Sequence, residues 1–226
     1  MALLAPSNGA LNELISICEK YAASHGLVYN VRKTVYMVFQ APGVDAPDVS
    51  LPVLLNGAPV DRVNQFKYLG HFLTDNLKDD ADVERERRAL AVRANMLARR
   101  FARCTEAVKI TLFRAYCTSL YTGALWVACT QRSLASLRVQ YNNAFRALLG
   151  LPRFCSASAM FAGARVDNFT AVLRKKMASL LIRIRGSPNS LLKTLAVRNE
   201  CSIMQHLIKI PFHWLAITTN IVLRKY

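Results

Sequence analysis

The spacing of hydrophobic positions changes partway along the chain. Residues 10–24 repeat apolar side chains at helical intervals, which predicts an amphipathic helix. Residues 27–73 carry short runs of β-branched and aromatic residues separated by Pro and Gly, which predicts strands. Beyond Asp79 the helical spacing returns and persists. This order predicts an α+β fold: a small antiparallel sheet with one helix, followed by a mostly α-helical region.

The strand region is divided by turn-forming residues. Strands are predicted at residues 27–30 and 34–39, and a loop runs from Pro42 to Pro52. Asn56-Gly57 predicts a hairpin turn between residues 53–55 and Val60, since this dipeptide suits a type I′ turn. A further strand or hairpin is expected from Val63 to Leu73. Asn30 is predicted to fix a turn with its side chain.

The helical region divides into five predicted helices, at residues 79–103, 105–127, 133–148, 156–163 and 167–185. The first has an apolar face and, opposite it, a cationic face. The apolar face consists of Val83, Leu90, Ala94, Leu97 and Phe101, and the cationic face of Arg85, Arg88, Arg99 and Arg103. The second is predicted to be largely buried along Val108, Leu112, Ala115, Tyr116, Leu120, Ala124 and Val127. Domain boundaries follow as 1–75, 76–200 and an uncertain C-terminal tail, 201–226.

Charge narrows the classes of partner. The 226 residues carry a formal net charge of +16, of which residues 131–226 supply +13. Such a field favours anionic partners, nucleic acid before an anionic membrane surface. The longest apolar candidate, Ile203 to Leu223, is interrupted by His206, Lys209 and Pro211, so no membrane partner is expected. The hydrophobic fraction of 53% is enough for a packed core, which excludes a disordered tail.

Cysteine and acidic residues give no sign of a metal centre. The six cysteines are scattered singly, without a C-x-x-C pair, which predicts reduced thiols in an intracellular protein, cytoplasmic or nuclear. Asp75, Asp79, Asp80 and Asp82 lack the glycine and terminal glutamate of a calcium loop, and helix capping is the preferred interpretation. No metal site is therefore predicted.

Three motifs together resemble one known family. Residues 1–7 (Met-Ala-Leu-Leu-Ala-Pro-Ser) resemble the segment after the Ala-Asp-Asp catalytic box of non-LTR (LINE-type) retrotransposon reverse transcriptases. Residues 25–34 are similar to the next palm motif of that family, and residues 66–70 (Phe-Lys-Tyr-Leu-Gly) to its primer-grip hairpin. The helical remainder resembles the thumb, and the likeness covers roughly residues 1–200.

The resemblance implies a palm remnant followed by a thumb-like domain of an RNA-directed DNA polymerase. In the family, the carboxylates that hold two Mg²⁺ ions lie upstream of the part that this chain matches. The chain alone is therefore expected to bind nucleic acid without polymerising. No catalytic residue and no cofactor is assigned to it, and Mg²⁺ is expected only for the intact enzyme.

The candidate nucleic-acid-binding residues are Lys33, Lys67, Tyr68, Arg85, Arg88, Arg99 and Arg103. In the family the lysine matching Lys33 lies near the nucleotide phosphates, and the alternative is an exposed strand-end lysine. Lys67 is predicted to face a primer backbone while Phe66 and Tyr68 pack inward, the alternative being a packed hairpin with a solvated lysine. The arginine face suits a phosphate backbone, the alternative being a solvated face partly paired with Glu84 and Glu86.

The expected partner is RNA or an RNA–DNA hybrid, bound without sequence preference, and a second expected partner is the upstream part of the reverse transcriptase. Two other interpretations stay open. One is a non-catalytic protein-interaction module, which predicts a large exposed apolar patch. The other is a relic open reading frame without a selected function.

Overall fold

The computed structural model describes residues 1–39 and 52–208. Helix accounts for 58% and strand for 8% of the structure, so the fold is mixed and mostly helical, as the sequence predicts in outline. The chain forms two compact units, residues 1–78 and 79–226. The predicted loop from Pro42 to Pro52 lies outside the described residues, except for Pro52 itself. Residues 209–226, which include most of the predicted tail and the end of the Ile203–Leu223 run, also lie outside them.

The N-terminal unit is built on one helix, α1 (Asn8–Ser24), which confirms the first predicted element. It begins where the Ser7 side chain accepts a hydrogen bond from the Ala10 amide at 3.2 Å. The buried Ile15 of α1 lies in a small apolar cluster with Val53, Leu55 and Val60. This cluster is the core of the unit.

Six short strands follow: β1 (Val35–Tyr36), β2 (Leu54–Leu55), β3 (Ala58–Pro59), β4 (Asp61–Arg62), β5 (Gln65–Tyr68) and β6 (His71–Thr74). They form three two-stranded sheets, with β1–β4 parallel and β2–β3 and β5–β6 antiparallel. The expected single antiparallel sheet is therefore wrong among the described residues. No strand forms at residues 27–30, and only Val35–Tyr36 of the predicted strand at 34–39 is paired. Between them the Asn30 side chain accepts from the Lys33 amide at 3.2 Å and begins a 3₁₀ turn over Val31–Lys33, which confirms the turn predicted at Asn30.

Two of these sheets are hairpins closed by two-residue turns. Asn56 and Gly57 both have positive φ, 52° and 73°, as the type I′ prediction requires. Leu69 and Gly70 repeat the geometry at 48° and 85° in the β5–β6 turn. A leucine rarely adopts this left-handed conformation, so the second hairpin is strained at its tip.

The C-terminal unit consists of helices. They are α2 (Asp80–Arg100), α3 (Glu106–Cys117), α4 (Gln131–Leu149), α5 (Ala157–Gly163), α6 (Phe169–Arg185) and α7 (Ser190–Val197), and residues 202–208 are also helical. The α2 helix packs mainly against α4, with α3 beside them. Their shared core contains Leu90, Leu97, Phe113 and Phe145, and the last two rings meet edge to face with centroids 4.8 Å apart.

The predicted helix at residues 105–127 is only half correct. It ends at Cys117, and a 3₁₀ turn (Gly123–Leu125) follows after Leu120, whose φ is 30°. The buried face is also different, because Phe113 and Cys117 are inside while Val108 and Tyr116 are 44% and 50% exposed. The sequence contains apolar residues on both sides of α3, so helical periodicity alone does not identify the buried side.

A second apolar cluster joins α6 to the helical residues 202–208. It contains Met177, Leu181 and Ile184 of α6 with Met204 and Leu207. An N-cap asparagine precedes each of α6 and α7, and the side chains of these residues, Asn168 and Asn189, accept from amides of the first turn. No helix in the described residues is both long and apolar enough to cross a lipid bilayer.

Candidate nucleic-acid interface

The first turns of α2 carry acidic side chains that face the interior of the helical unit. Asp82 is fully buried, and its Oδ1 accepts from Arg85 Nε at 2.7 Å. Its Oδ2 accepts from the Thr122 hydroxyl at 2.6 Å and from the Trp126 indole N–H at 2.8 Å. Both carboxylate oxygens are therefore hydrogen-bonded, which a buried charge requires.

Glu86 extends this buried network by one helical turn. It is 2% exposed, and its Oε2 lies 3.2 Å from Arg85 Nη1. Its Oε1 accepts from Arg93 Nη2. Two buried carboxylates and two partly buried guanidinium groups thus balance one another, and the network joins α2 to the segment that holds Thr122 and Trp126.

Asp79 and Asp80 attach the beginning of α2 to the beginning of α4. Asp79 Oδ2 accepts from the Ala128 amide at 2.7 Å. Asp80 Oδ1 accepts from the Thr130 amide at 2.9 Å, from the Thr130 hydroxyl at 2.7 Å and from the Ser133 hydroxyl. Asp79 occupies the N-cap position of α2, and Asp80 and Asp82 lie in the first turn, as the capping interpretation predicts; the Asp79 side chain, however, makes no cap hydrogen bond to α2.

Glu84 is the acid of α2 that lies nearer the surface. Its oxygens accept from Arg87 Nε at 2.6 Å and from Arg88 Nε at 2.7 Å. Hydrogen bonds from these two guanidinium groups lower the pKa of Glu84 to about 2. The alternative to phosphate contact was a solvated face partly paired with Glu84 and Glu86, and the pairing part of that alternative is present in the structure.

The consequence is a separation of charge within the helical unit. Residues 79–226 contain 24 basic and 8 acidic side chains, so the whole net charge of +16 belongs to this unit. Five of the eight acids, Asp79 to Glu86, are engaged in the contacts described above. Fourteen arginine and lysine side chains between residues 79 and 208 are exposed, and they give the unit a cationic surface.

One face of α2 concentrates this charge. The cationic stripe consists of Arg88 and Arg99, exposed on α2, and of Arg103, exposed in the turn after it, with Arg100 beside it at the helix end. The helix ends at Arg100, short of the predicted residue 103, so Arg103 lies outside α2. Arg88 and Arg99 are 11 residues apart, which corresponds to roughly 16 Å along a helix axis. Between them α2 exposes Val92, Asn95 and Met96, which line a shallow groove of about 500 Å³ together with Arg99 and Arg100.

Arg85 does not belong to the cationic stripe, although the sequence placed it there. Its side chain is only 21% exposed, because Asp82 and Glu86 draw the guanidinium group inward. Arg88, by contrast, is 75% exposed and shares Glu84 with Arg87 in a solvent-accessible pair. Surface pairs of this kind are weak, so Arg88 can exchange Glu84 for a phosphate at little cost.

The other candidate residues lie in the N-terminal unit. Lys33 is exposed at the end of its 3₁₀ turn, and Lys67 is exposed in β5. Phe66 and Tyr68 were expected to pack inward, but they are 40% and 39% exposed. The reason is that β5 pairs only with β6 in the described part of the chain, so the ribbon has no third strand beside it. Lys33, Lys67 and Tyr68 thus belong to a different unit from the arginines of α2.

A larger groove, of about 870 Å³, runs between the N-terminal ends of α2 and α4. Its lining includes Asp80, Glu84, Arg87 and Arg132. The first three of these charges are engaged in the contacts described above, so the groove has mixed charge and does not resemble a phosphate site. Within residues 1–39 and 52–208, no group of three His, Cys, Asp or Glu side chains is arranged to hold a metal ion.

Comparisons with protein-family models, with curated proteins and with solved structures found no match. The resemblance to a reverse transcriptase therefore rests on the motifs of the sequence.

Sequence reasoning missed the buried network around Asp82. Its partners Thr122 and Trp126 lie 40 and 44 residues away along the chain, beyond the reach of any helical periodicity. One signal was present, since four acids among residues 79–84 exceed what the start of a helix needs for its dipole.

Proposed function

We propose that this chain is the end of the palm and the thumb of a non-LTR retrotransposon reverse transcriptase, and that its helical unit binds duplex nucleic acid through the phosphate backbone. The observation that supports this proposal is the separation of charge on α2. Its acids are engaged inside the unit or in surface pairs, whereas Arg88 and Arg99 are exposed on the helix and Arg103 is exposed in the turn after it. Planar guanidinium groups suit phosphate oxygens, and the partner class is RNA or an RNA–DNA hybrid.

The chemistry between the arginines fits a duplex bound without sequence preference. Val92 and Met96 offer apolar contact to sugars, and Asn95 offers both a donor and an acceptor. Contacts to phosphate and sugar position a protein on a duplex but carry no direct sequence information. Lys67 and Tyr68 on the exposed strand β5 supply the corresponding contacts in the N-terminal unit, and Lys33 is a further candidate for the same role.

No polymerisation is expected from this chain alone. The carboxylates that would hold two Mg²⁺ ions belong, by the resemblance, to an earlier part of the palm. The acids of α2 do not replace them, because Asp79, Asp80, Asp82 and Glu86 are engaged by the amide, hydroxyl, indole and guanidinium groups described above.

The test is binding of a fluorescent RNA–DNA hybrid to the full chain, followed by anisotropy. The association constant varies with the molar salt concentration raised to the power of about −0.9 for each phosphate contact. At about 0.1 M salt, one contact therefore contributes roughly 8-fold to the affinity and two contacts roughly 60-fold. The Arg99→Gln/Arg103→Gln variant is therefore expected to bind roughly 60-fold more weakly. The matched control removes the same charge from exposed positions at α7, Lys193→Gln/Arg198→Gln, and is expected to bind within about threefold of wild type. Equal losses of affinity in the two variants would show that α2 is not the interface.

A second candidate function is docking onto the upstream part of the reverse transcriptase through the N-terminal unit. The observation that favours it is the β5–β6 ribbon, where Phe66, Tyr68 and Leu69 are 40%, 39% and 75% exposed. A lone two-stranded hairpin is marginally stable in water and gains stability when an apolar face is covered. Protein binding of this kind would be insensitive to salt and would be abolished in Phe66→Ser/Leu69→Asn.

A further inference from the structure

The turn between α4 and α5 carries the most exposed large apolar side chain of the described residues. Phe154 is 91% exposed, and Arg153 before it is exposed as well. A single exposed apolar residue is common on protein surfaces and does not define a site by itself. The surroundings of Phe154 distinguish it from such a residue.

The backbone of this turn is held in one arrangement. Gly150, with φ of 69°, ends α4, and the Leu151 amide donates to the Arg146 carbonyl at 2.9 Å. The Cys155 amide donates to the Pro152 carbonyl at 3.0 Å. Both ends of the turn are therefore fixed by main-chain hydrogen bonds.

Arg146 also holds the far side of the turn, because its Nη2 donates to the Cys155 carbonyl at 2.8 Å. Leu151 and Cys155 pack against the main core, and Phe154 between them extends into solvent. The ring is therefore presented on a rigid support, which lowers the entropy cost of binding.

The chain segment that contains the turn is cationic, which favours a polyanion. No acidic residue occurs between Glu106 and Asp167, whereas seven arginines and lysines do. Arg153 lies before α5 and Arg165 after it, and both are exposed. Arg165 is held in place because its carbonyl accepts from Arg114 Nη2 at 2.9 Å. A partner that offered only an apolar pocket would not account for this uniform positive charge.

We infer that the Arg153–Phe154 turn is a second nucleic-acid site, which binds a single-stranded extension by stacking Phe154 on an unpaired base while Arg153 contacts a neighbouring phosphate. Aromatic rings stack on every base, and cationic side chains follow the backbone, so such a site is tolerant of sequence. The inference rests on the proposed function and adds a single-stranded ligand to the duplex bound by α2.

The experiment compares two ligands of the full chain: a blunt RNA–DNA hybrid and the same hybrid with a single-stranded extension of about eight nucleotides, within the range that such sites occupy. Phe154→Ala is expected to lower the affinity for the extended hybrid about 5- to 150-fold, the range that one stacked base contributes, and to leave the blunt hybrid unchanged. Phe154→Trp is expected to retain binding. Phe154→Leu, which keeps an apolar side chain without a ring, is expected to behave like Phe154→Ala.

A direct readout comes from 2-aminopurine placed in the extension, whose fluorescence is expected to change on binding to wild type and not to Phe154→Ala. The matched control is Leu191→Ala, which truncates another exposed apolar side chain, 78% exposed on α7, and is expected to change neither affinity.

Three outcomes would overturn the inference. Full binding by Phe154→Leu would mean apolar docking without stacking, as expected for a protein partner. If Phe154→Ala lost the same affinity for the blunt and the extended hybrid, or lost none for either, the result would contradict the single-stranded site and leave the duplex proposal intact. Failure of the wild-type chain to bind either ligand would overturn the proposed function itself.

Discussion

Replacing Asp82 by asparagine removes one charge from the interior of the helical unit and keeps the side-chain shape. In the protein, Oδ1 faces Arg85 Nε and Oδ2 faces the Thr122 hydroxyl and the Trp126 indole N–H. All three partners donate to Asp82, whereas an amide has one oxygen and one NH₂ group. Whichever way the new amide is oriented in Asp82→Asn, its NH₂ group therefore meets a donor.

The size of the effect follows from burial. Removing one partner of a buried ion pair costs about 3–5 kcal/mol. The side chain of Arg85 is 21% exposed and can turn partly to solvent, so we expect a loss of about 2–4 kcal/mol in the free energy of unfolding. For a chain of this length, that corresponds to a fall in melting temperature of roughly 4–16 °C.

Urea unfolding followed by far-UV circular dichroism measures this difference in the free energy of unfolding. The fluorescence of Trp126, read in a Trp214→Phe background, reports on the buried network itself. The matched control is Glu84→Gln, an isosteric removal of one carboxylate charge two residues along the same helix. Its pairs with Arg87 and Arg88 are at the surface, so its cost is expected to stay below about 1 kcal/mol. If Asp82→Asn costs no more than this control, the buried network does not stabilise the unit.

Three further predictions concern single sites. The pKa of Glu84 is depressed to about 2, so the stability from its pairs is present above about pH 4.5 and is lost as the pH falls towards 2. The unfolding free energies of wild type and Glu84→Gln should therefore converge as the pH falls over that interval. A constant difference between them would contradict the pairing. Burial raises the pKa of the Cys117 thiol to about 11, so in the native state iodoacetamide should label Cys117 more slowly than the partly exposed Cys104. Mass spectrometry of the digested protein measures the two labelling rates. Equal rates would contradict the burial of Cys117. Leu69→Asn gives the second hairpin the Asn-Gly turn of the first and should stabilise the N-terminal unit by about 0.5–1 kcal/mol in thermal unfolding. The reverse change in the first hairpin, Asn56→Leu, should destabilise the unit. A loss of stability in Leu69→Asn would mean that Leu69 makes packing contacts that its exposure does not indicate.

Helices with one apolar face were predictable from the sequence. The predicted interior of α2 is buried at Val83, Leu90, Ala94 and Leu97. The helix α4 ends at Leu149, one residue beyond its predicted end at 148, and the Asn56-Gly57 turn has the φ angles that its residues favour. In each case the information is local, since a few neighbouring residues determine the structure.

Long-range contacts account for what the sequence did not predict. Strand pairing depends on residues far apart in the chain, so the parallel β1–β4 pair could not be derived from alternation. The same holds for Arg85, which helical spacing assigns to the outer face. Its actual position is set by the buried carboxylate of Asp82, whose other oxygen accepts hydrogen bonds from Thr122 and Trp126.

The central claim is that the cationic stripe, Arg88 and Arg99 of α2 with Arg103 after it, binds a nucleic-acid backbone, and the salt dependence of binding by the full chain tests it most directly. For an RNA–DNA hybrid, the logarithm of the association constant should fall linearly with the logarithm of the salt concentration. Arg88→Gln/Arg99→Gln/Arg103→Gln should reduce the steepness of that line by about 2.7, or about 0.9 for each arginine replaced. An unchanged slope in this variant, or wild-type affinity independent of salt, would contradict the claim.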